Sequence, residues 1–340
     1  MILYLIGMDY KTAALSAREK AYRERREIES FCGESRKESA ALFTCNRAEI
    51  YGLAESIGHA AEKIKQFQHA FPGFLDNTHV KYGNDEVIHH ALRLAGGLES
   101  QIVGETQILE QLESWIEKEA FPPVLKKVWK TVLIRARGIR LKSRLSEGAC
   151  DIAEIIAADI ASKTDPNRPK EIVIIGTGKV ARLFAENKMP GTDMIFVSRK
   201  KRSRAKQLAE RSEGRVVLLD DLSGALLTAD ALVSATASPH YMLRKKTLID
   251  IMKKRDRTLH LYDLSVPRDI EPEANGVAGV FLRNLDDLAP FAEKRNRRLS
   301  RQILEADSMI REMAESVIEE VETYATQSRN APQPAGVAAG

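Results

Sequence analysis

The sequence predicts a multidomain fold of α+β and α/β type, with an N-terminal α+β domain, an α/β domain that contains a parallel sheet, and one long C-terminal helix. From Glu171 to Asn284, short apolar runs alternate with helix-sized segments, which is typical of strands joined by crossover helices. After Asp287 the apolar residues follow a helical period. The length of 340 residues also favours two or three domains over one compact core.

The first 146 residues mix predicted strands with predicted helices. Short apolar runs predict strands over residues 2–8, 39–44 and 48–54, and helical patterns cover residues 16–31, 56–67, 87–94 and 107–119. The Phe121-Pro122-Pro123 segment interrupts the chain, and because proline is tolerated at a helix start, a longer helix is expected from there to about Arg144.

Composition shifts suggest where the domains end. We expect an N-terminal domain over residues 1–148, an α/β domain over 149–290, a long connecting helix over 291–328 and a disordered tail over 329–340, which has little apolar bulk. A helix over residues 151–163 is expected to join the first two domains. Along the connecting helix the apolar residues recur at a spacing close to 3.5, which favours an amphipathic helix packed on its own chain over an independent coiled coil.

Composition excludes several classes of protein. Hydrophobic residues make up 44% of the chain and charged residues 29%, and no apolar run is long enough to cross a bilayer. The N-terminal apolar run has no basic region before it, so we interpret it as a strand and expect a cytoplasmic protein with no membrane partner. The odd number of cysteines and the lack of a CxxC pair argue against a disulfide framework and a structural zinc site.

A glycine-rich turn predicts a nucleotide site. In IVIIGTGKVA, Gly176 and Gly178 follow a strand and precede a helix, where backbone amides can approach a pyrophosphate; Ala181 holds the third position of the motif. Taken alone, this pattern could equally be a plain tight turn. The next strand ends in Ser198-Arg199-Lys200, where an NAD site would carry a carboxylate.

A hydroxyl, a guanidinium and an ammonium suit a 2′-phosphate, so the second strand favours NADPH over NADH. The sequence therefore predicts a Rossmann-type NADP(H)-binding domain. Its expected cofactor-binding residues are Gly176, Thr177, Gly178, Lys179, Ser198, Arg199 and Lys200.

Cys45 is the candidate nucleophile among three cysteines. It lies between Thr44 and Asn46, and Arg47 follows two residues later; a nearby guanidinium favours the reactive thiolate. Cys32 and Cys150 have no comparable polar neighbours. The alternative is that Cys45 is a small buried apolar residue.

A basic stretch lies between Phe121 and Ser146, which contains no Asp or Glu. Such a helix could follow the phosphate backbone of a nucleic acid, with Trp129 as a stacking surface, or it could be a solvated face beside acidic helices. The cations are Lys126, Lys127, Lys130, Arg135, Arg137, Arg140, Lys142 and Arg144. A second basic run, over residues 294–301, has the same two interpretations.

Taken in order along the chain, these motifs resemble the glutamyl-tRNA reductase family. The matching segments are DYKTAALSAREK, FTCNRAEIYG, HALRLAGGLESQIVGETQILEQ, SEGACDIAEIIA, IIGTGKVA, LVSATASPH, LYDLSVPRDIEP and RNLDDL. The resemblance implies an NADPH-dependent enzyme that reduces glutamyl-tRNA(Glu) to glutamate-1-semialdehyde through a cysteine thioester, the first step of the five-carbon route to tetrapyrroles such as haem. It also implies glutamate-1-semialdehyde aminomutase as a partner.

The resemblance assigns roles to individual residues. Cys45 would be the nucleophile and His90 would lie beside the reacting centre. The residues that would hold the glutamyl moiety are Thr44, Arg47, Ser100, Glu105 and Gln111. Arg47 could pair with the free carboxylate of the substrate and lower the pKa of the thiol.

The sequence departs from the family pattern at both ends. Asp9-Tyr10 stands where the family has Asn-His, and the dimerisation domain that normally follows the long helix is not matched after Tyr324, which leaves open whether the chain is a monomer or a dimer. The shortened end leaves open a non-catalytic paralogue that binds glutamyl-tRNA or a reductase partner. An NADP-dependent dehydrogenase of a small metabolite is the third interpretation.

Overall fold

The structure is a computed structural model, and it describes residues 1–34, 38–118, 121–147, 151–187, 189–199 and 202–330. The predicted fold class is confirmed: an α+β domain, a parallel α/β domain and a long C-terminal helix follow one another. Cys150, Lys200 and the tail from residue 331 lie outside the described residues. Among the described residues, no helix is both long enough and apolar enough to cross a membrane.

An antiparallel sheet of four strands, in the order β2-β3-β1-β4, organises the N-terminal domain. The elements of this domain are β1 (Ile2–Asp9), α1 (Leu15–Arg23), α2 (Arg25–Glu34), β2 (Ser39–Phe43), β3 (Arg47–Ala54), α3 (Ile57–Ala70), β4 (His79–Tyr82), α4 (Asn84–Gly96), α5 (Gln107–Ile116) and α6 (Pro123–Ser143). Alternate residues of β1 enter different cores: Leu3 and Leu5 pack with α4 to α6, and Tyr4 and Ile6 pack with α2 and α3. Burial on both faces explains why this strand has no polar alternation.

One local prediction is wrong, and one strand was missed. The expected single helix over residues 16–31 is interrupted at Glu24, which allows α1 to reach the second domain through Leu15 while α2 buries Ile28 on the sheet. The strand β4 was not predicted. It has only four residues, His79–Tyr82, and they lie at the edge of the sheet and are all partly exposed, so they give no clear apolar signal.

The second domain is a six-stranded parallel sheet in the order β10-β9-β8-β5-β6-β7, with helices on both faces. Its elements are α7 (Ile152–Ala161), β5 (Lys170–Ile175), α8 (Lys179–Glu186), β6 (Thr192–Ser198), α9 (Arg202–Ser212), β7 (Arg215–Leu218), α10 (Leu222–Ala225), β8 (Ala231–Ser234), α11 (Lys245–Met252), β9 (Leu259–Asp263) and β10 (Val280–Asn284). The central strand β5 is buried on both faces, as expected for a parallel sheet.

The C-terminal helices return to the N-terminal domain. After α12 (Ala289–Asn296), the long helix α13 (Ser300–Asn330) packs on α4 and α6. Ala306, Ile310 and Val317 on its apolar face are fully buried in the same core as the central tryptophan of α6, Trp129. The prediction of an amphipathic helix packed on its own chain is therefore confirmed.

Polar contacts join the two domains. The Arg268 guanidinium and its backbone N–H donate to the Glu19 carboxylate of α1. Asp286 accepts the Leu15 N–H at 3.0 Å and also pairs with Arg18. These contacts hold α1 against the loops that follow β9 and β10.

Candidate functional site

The candidate nucleophile lies at the turn that joins β2 to β3. We call residues 44–47 the thiol turn. The Thr44 N–H donates to the Arg47 carbonyl at 3.0 Å, and the Asn46 N–H donates to the Thr44 hydroxyl at 3.2 Å. From outside the turn, Arg18 donates to the Cys45 carbonyl at 3.0 Å. The backbone around the thiol is therefore fixed while the side chain of Cys45 stays exposed.

The environment of Cys45 raises its pKa to about 11. The side chain has surface open to solvent, but the protein packed behind it desolvates the thiolate, and the Glu105 carboxylate adds repulsion. Arg18 and Arg47 lower the pKa only in part. The effect of Arg47 on the thiol therefore has the predicted direction, but desolvation is larger, so the pKa of Cys45 lies above its ordinary value.

The Arg47 guanidinium is already hydrogen-bonded within the protein. Its guanidinium is buried, with Nη1 donating to Glu49 Oε1 at 2.7 Å and Nη2 donating to the Glu99 carbonyl. A substrate carboxylate can pair with this guanidinium only if it shares or replaces one of these contacts. The role of Arg47 in substrate binding stays a prediction.

Glu49 connects Arg47 to His90. The carboxylate is fully buried and accepts from Arg47, from His90 Nε2 at 3.1 Å and from the Tyr51 hydroxyl at 2.7 Å. Burial alone would raise the pKa of Glu49, but Arg47 and His90 hold it well below its usual range. Because an ionised carboxylate only accepts, the bonded Nε2 of His90 carries a proton, and Nδ1 is the nitrogen left to accept one.

The loop between α4 and α5 carries two of the predicted substrate residues. Ser100 is buried and hydrogen-bonds with Glu105, whose pKa is raised because burial outweighs this bond and the nearby cations. Arg140 of α6 shapes this loop by donating to the Gly104 carbonyl at 2.7 Å and to the Gly96 carbonyl at 3.0 Å. Gly97 has a φ of +84°, and a Cβ there would lie 2.4 Å from Arg140 Nη1, so the loop requires glycine.

The remaining predicted substrate residues differ in their surroundings. Thr44 is partly buried, with its hydroxyl engaged in the thiol turn, and Gln111 is exposed on α5. Tyr10, which replaces the histidine of the family pattern, donates its N–H to the Asn46 carbonyl and its hydroxyl to the Ser100 carbonyl at 3.4 Å. Tyr10 therefore links the thiol turn to the loop that carries Ser100.

A cleft of about 810 Å³ lies at the carboxyl ends of β5, β6 and β8. Gly176, Thr177, Gly178, Ser198 and Arg199 all line it, together with the loop after β8. Gly176 has a φ of +113°, and a Cβ would lie 2.3 Å from the Ala235 carbonyl oxygen, whereas a Cβ on Gly178 would meet nothing within 4 Å. The turn therefore needs glycine at its first position and leaves open space at its second, which fits a bound pyrophosphate.

The charges of the cleft favour an anionic ligand. Among the described residues that line it, none is acidic, and Arg199 and Ser198 provide a guanidinium and a hydroxyl. One predicted cofactor residue differs from expectation. Lys179 does not line the cleft; its ammonium pairs with Glu110 of α5 at 2.6 Å. Lys200 lies outside the described residues.

A buried acid that was not predicted shapes the wall of the cleft. Asp269 is fully buried and accepts from the Ser234 hydroxyl and from the Thr236 hydroxyl, each at 2.7 Å. Thr236 lines the cleft, so Asp269 sets the position of that wall. Asp269 lies in the DLSVPRDI segment. Only the family motif could have drawn attention to it, because a lone acid in a loop gives no signal of burial.

The basic stretch of α6 is largely paired within the protein. Lys126 pairs with Glu117 at 2.9 Å and Arg137 pairs with Glu113 at 2.7 Å. Trp129 is only 1% exposed, so the expectation that it offers a stacking surface is wrong. It packs edge-on against Trp115 and Tyr51, where its large apolar surface stabilises the core. Contact between this stretch and tRNA stays a prediction.

Both domains are similar to domains of known proteins. Residues 6–142 match the N-terminal domain of glutamyl-tRNAGlu reductase, and residues 158–291 match shikimate/quinate 5-dehydrogenase. A glutamyl-tRNA reductase of Brevibacillus brevis is 30% identical over 92% of this chain and 72% of its own length, and one of Macrococcus caseolyticus is 31% identical over 85% and 68%.

A solved structure agrees with these relatives. Glutamyl-tRNA reductase from Methanopyrus kandleri has 28% identity and a TM-score of 0.51, with 96% of this chain and 82% of that chain covered. The dehydrogenase match and the cleft after β5 together support a pyridine nucleotide as cofactor. The resemblance inferred from the sequence motifs is confirmed, and the chain belongs to the glutamyl-tRNA reductase family.

Proposed function

We propose that this protein reduces glutamyl-tRNA(Glu) to glutamate-1-semialdehyde with NADPH, through a thioester on Cys45, as the first step of tetrapyrrole synthesis. The observation that carries the proposal is the exposed Cys45 at a rigid turn, in a chain whose second domain forms a nucleotide cleft. An exposed thiol favours an enzyme over a non-catalytic relative. We assign the chemistry to residues 1–148, cofactor binding to 149–290 and a connecting role to 291–328.

The first step is acyl transfer to the thiol. The Cys45 sulfur attacks the ester carbonyl, a C–S bond forms, and the C–O bond to the terminal ribose of the tRNA breaks. The thiol proton passes to the departing ribose oxygen. His90 is the proposed carrier, because its Nε2 is held by Glu49 and its Nδ1 is left to accept a proton. With a pKa of about 11, the thiol needs this assistance at neutral pH.

The second step is reduction of the thioester. A bound reduced nicotinamide supplies the hydride. The hydride would add to the carbonyl carbon, the C–S bond breaks, and the departing sulfur takes up a proton from solvent, so the products are the aldehyde and the free Cys45 thiol. Ser100, Glu105, Thr44, Arg47 and Gln111 are proposed to hold the glutamyl group during both steps. We further propose that glutamate-1-semialdehyde aminomutase takes up the reactive aldehyde.

NADPH is proposed over NADH because of the end of β6. Ser198 and Arg199 line the cleft there, and Lys200 follows them in the sequence. A carboxylate at this place would repel a 2′-phosphate, and a guanidinium attracts one. Gly176, Thr177 and Gly178 are proposed to approach the pyrophosphate, and Lys179 would join them only by leaving Glu110.

The proposal is tested with glutamyl-tRNA, NADPH and the purified full-length chain. The parent protein should form semialdehyde, and the Cys45→Ser variant should not. A Cys32→Ser variant is the control for general thiol loss, because Cys32 is buried in the core of the N-terminal domain. Semialdehyde formation by Cys45→Ser at the parent rate would remove the proposed nucleophile.

A further inference from the structure

Three potential metal ligands converge inside the N-terminal domain. Glu49 Oε1 lies 3.1 Å from His90 Nε2 and 3.4 Å from His79 Nε2, and the three ligand atoms all lie within 4.8 Å of one another. They come from different elements: Glu49 from the centre of β3, His79 from the first residue of β4 and His90 from α4. Packing of the sheet against α4 therefore holds them together.

The two separations from Glu49 are close to those between ligands around one small metal ion. Zn²⁺ binds imidazole nitrogen and carboxylate oxygen at about 2.0–2.2 Å, so two ligands of a tetrahedral site lie roughly 3.3–3.5 Å apart. The measured 3.1 Å and 3.4 Å need only small side-chain shifts to reach that geometry. Two imidazoles and one carboxylate are also a ligand set that zinc accepts while it keeps a position open for water.

An unsatisfied atom is the second indication. His79 Nε2 is buried and forms no hydrogen bond of good geometry; it makes only a long contact with Glu49 Oε1, at 3.4 Å. That oxygen already accepts from Arg47 and His90, so it has no free lone pair directed at His79. A buried nitrogen without a partner normally costs stability, and a metal ion between the three side chains would satisfy it.

We propose that Glu49, His79 and His90 form a binding site for a divalent transition metal ion, with Zn²⁺ as the ion that best fits the ligands. A hydrogen bond to Glu49 from outside the ligand set also supports a metal site. Tyr51 donates to Glu49 Oε2 at 2.7 Å and leaves Oε1 as the ligand atom. A hydrogen bond from outside the ligand set fixes the orientation of a ligating carboxylate.

Arg47 limits the affinity of this site. Its Nη1 lies 2.7 Å from the ligating oxygen, and its positive charge opposes a cation. Binding therefore requires that Arg47 stay hydrogen-bonded to one lone pair of Glu49 Oε1 while the metal ion binds the other lone pair. Reversible occupancy is expected, weaker than that of a closed structural zinc site.

The metal site goes beyond the proposed reduction and does not depend on it. It shares His90 and Glu49 with the proposed acyl transfer, and a metal ion on His90 Nε2 would replace the hydrogen bond by which Glu49 holds that ring. Because the site excludes Cys45, a metal on these ligands can be distinguished from a metal captured by the exposed thiol. A protein that makes semialdehyde and binds no zinc would remove this proposal alone.

The test measures Zn²⁺ binding to the untagged full-length chain by equilibrium dialysis and calorimetry. We expect one ion per chain, and His79→Gln should weaken binding by roughly tenfold or more. His79→Cys should restore much of the affinity, because a thiolate is also a zinc ligand. His69→Gln is the matched control, since His69 is an exposed histidine on α3, and it should bind as the parent does.

Co²⁺ provides a second measurement that does not depend on the histidine variants. Bound to the parent protein, it should give the visible bands of a tetrahedral site without the thiolate charge-transfer band, and Cys45→Ser should leave the spectrum unchanged. No binding by the parent protein would overturn the proposal. So would equal affinity of His79→Gln and the parent, or loss of binding in Cys45→Ser.

Discussion

Arg268 forms a two-point ion pair with Glu19, at 2.7 Å from Nη2 to Oε2 and 2.9 Å from Nε to Oε1. Glu19 lies on α1 of the N-terminal domain and is 5% exposed, and Arg268 follows β9 of the nucleotide-binding domain. Because a planar guanidinium that meets a carboxylate at two points fixes an angle as well as a distance, this pair sets how the two domains face each other.

Arg268→Lys should change the ratio of the products more than it changes the rate of thioester formation. A lysine keeps the charge but cannot make the two-point contact, so the cleft and the thiol should no longer be held in one geometry. We expect thioester formation at the parent rate and reduction slower by roughly ten- to a hundredfold. More of the thioester should then be lost to water as free glutamate, which is measured as the ratio of glutamate to semialdehyde.

The control for this variant is Arg257→Lys, because Arg257 is a more exposed arginine of the same domain. A product ratio in Arg268→Lys equal to that of the parent would show that the ion pair does not position the domains for reduction.

Alkylation of Cys45 should have an unusual dependence on pH. The thiolate is the reactive form, and a pKa of about 11 leaves on the order of 0.1% of the thiol ionised at pH 8. In a Cys32→Ala, Cys150→Ala background, the rate with iodoacetamide should rise about tenfold per pH unit between pH 7 and 10. A free-cysteine peptide serves as control and should level off earlier. A rate that is already constant near pH 7 would contradict the raised pKa.

Arg199→Ala should narrow the preference for NADPH. A guanidinium bonded to a phosphate contributes about 1.5–3 kcal/mol, so kcat/KM with NADPH should fall by roughly ten- to a hundredfold while kcat/KM with NADH stays nearly constant. Lys206→Ala on α9 is the matched control, because Lys206 is exposed and pairs only weakly with Glu210 at 3.8 Å. If the parent protein used NADH and NADPH equally well, the residues at the end of β6 would not be binding a 2′-phosphate.

Glu49→Gln should destabilise the N-terminal domain in a way that depends on pH. Removal of the carboxylate leaves the buried Arg47 charge uncompensated, which costs about 3–5 kcal/mol. Since the folded-state pKa of Glu49 is depressed, its stabilisation is present above its unfolded pKa and is lost as pH falls toward the folded pKa.

The stability difference between parent and Glu49→Gln should therefore be largest at neutral pH and shrink as pH falls below about 4.5, the ordinary pKa of a glutamate. Urea unfolding at several pH values measures it. Glu62→Gln, at an exposed position of α3, should show no such trend. A difference that is constant with pH would mean that the charge of Glu49 does not stabilise the fold.

Much of the fold could be predicted from local patterns. The alternation of apolar runs with helix-sized segments identified the parallel sheet, and Gly176 marked the turn that opens the cleft, because only glycine tolerates both its φ and the approach of Ala235. The amphipathic period of α13 identified its buried face, since a helix of this length presents a regular apolar stripe to the core.

The contacts of the site could not be predicted, because they join residues that are distant in sequence. Glu49 lies in an apolar strand, and nothing local shows that it meets both His79 and His90. Lys179 stands beside the glycine turn but pairs with Glu110, which is 69 residues away. The pKa of Cys45 depends on desolvation and on Glu105. Neither effect can be predicted from the residues that neighbour Cys45 in the sequence, such as Arg47.

Transfer of label from glutamyl-tRNA to Cys45 tests the central claim most directly. The parent protein is incubated with glutamyl-tRNA that carries labelled glutamate, without NADPH, then quenched in acid and digested for mass spectrometry. We predict a labelled glutamyl thioester on the peptide that contains Cys45, its loss on addition of NADPH with release of semialdehyde, and no label in Cys45→Ser. Label on a different residue, or semialdehyde formed with no label ever bound to the protein, would contradict the account.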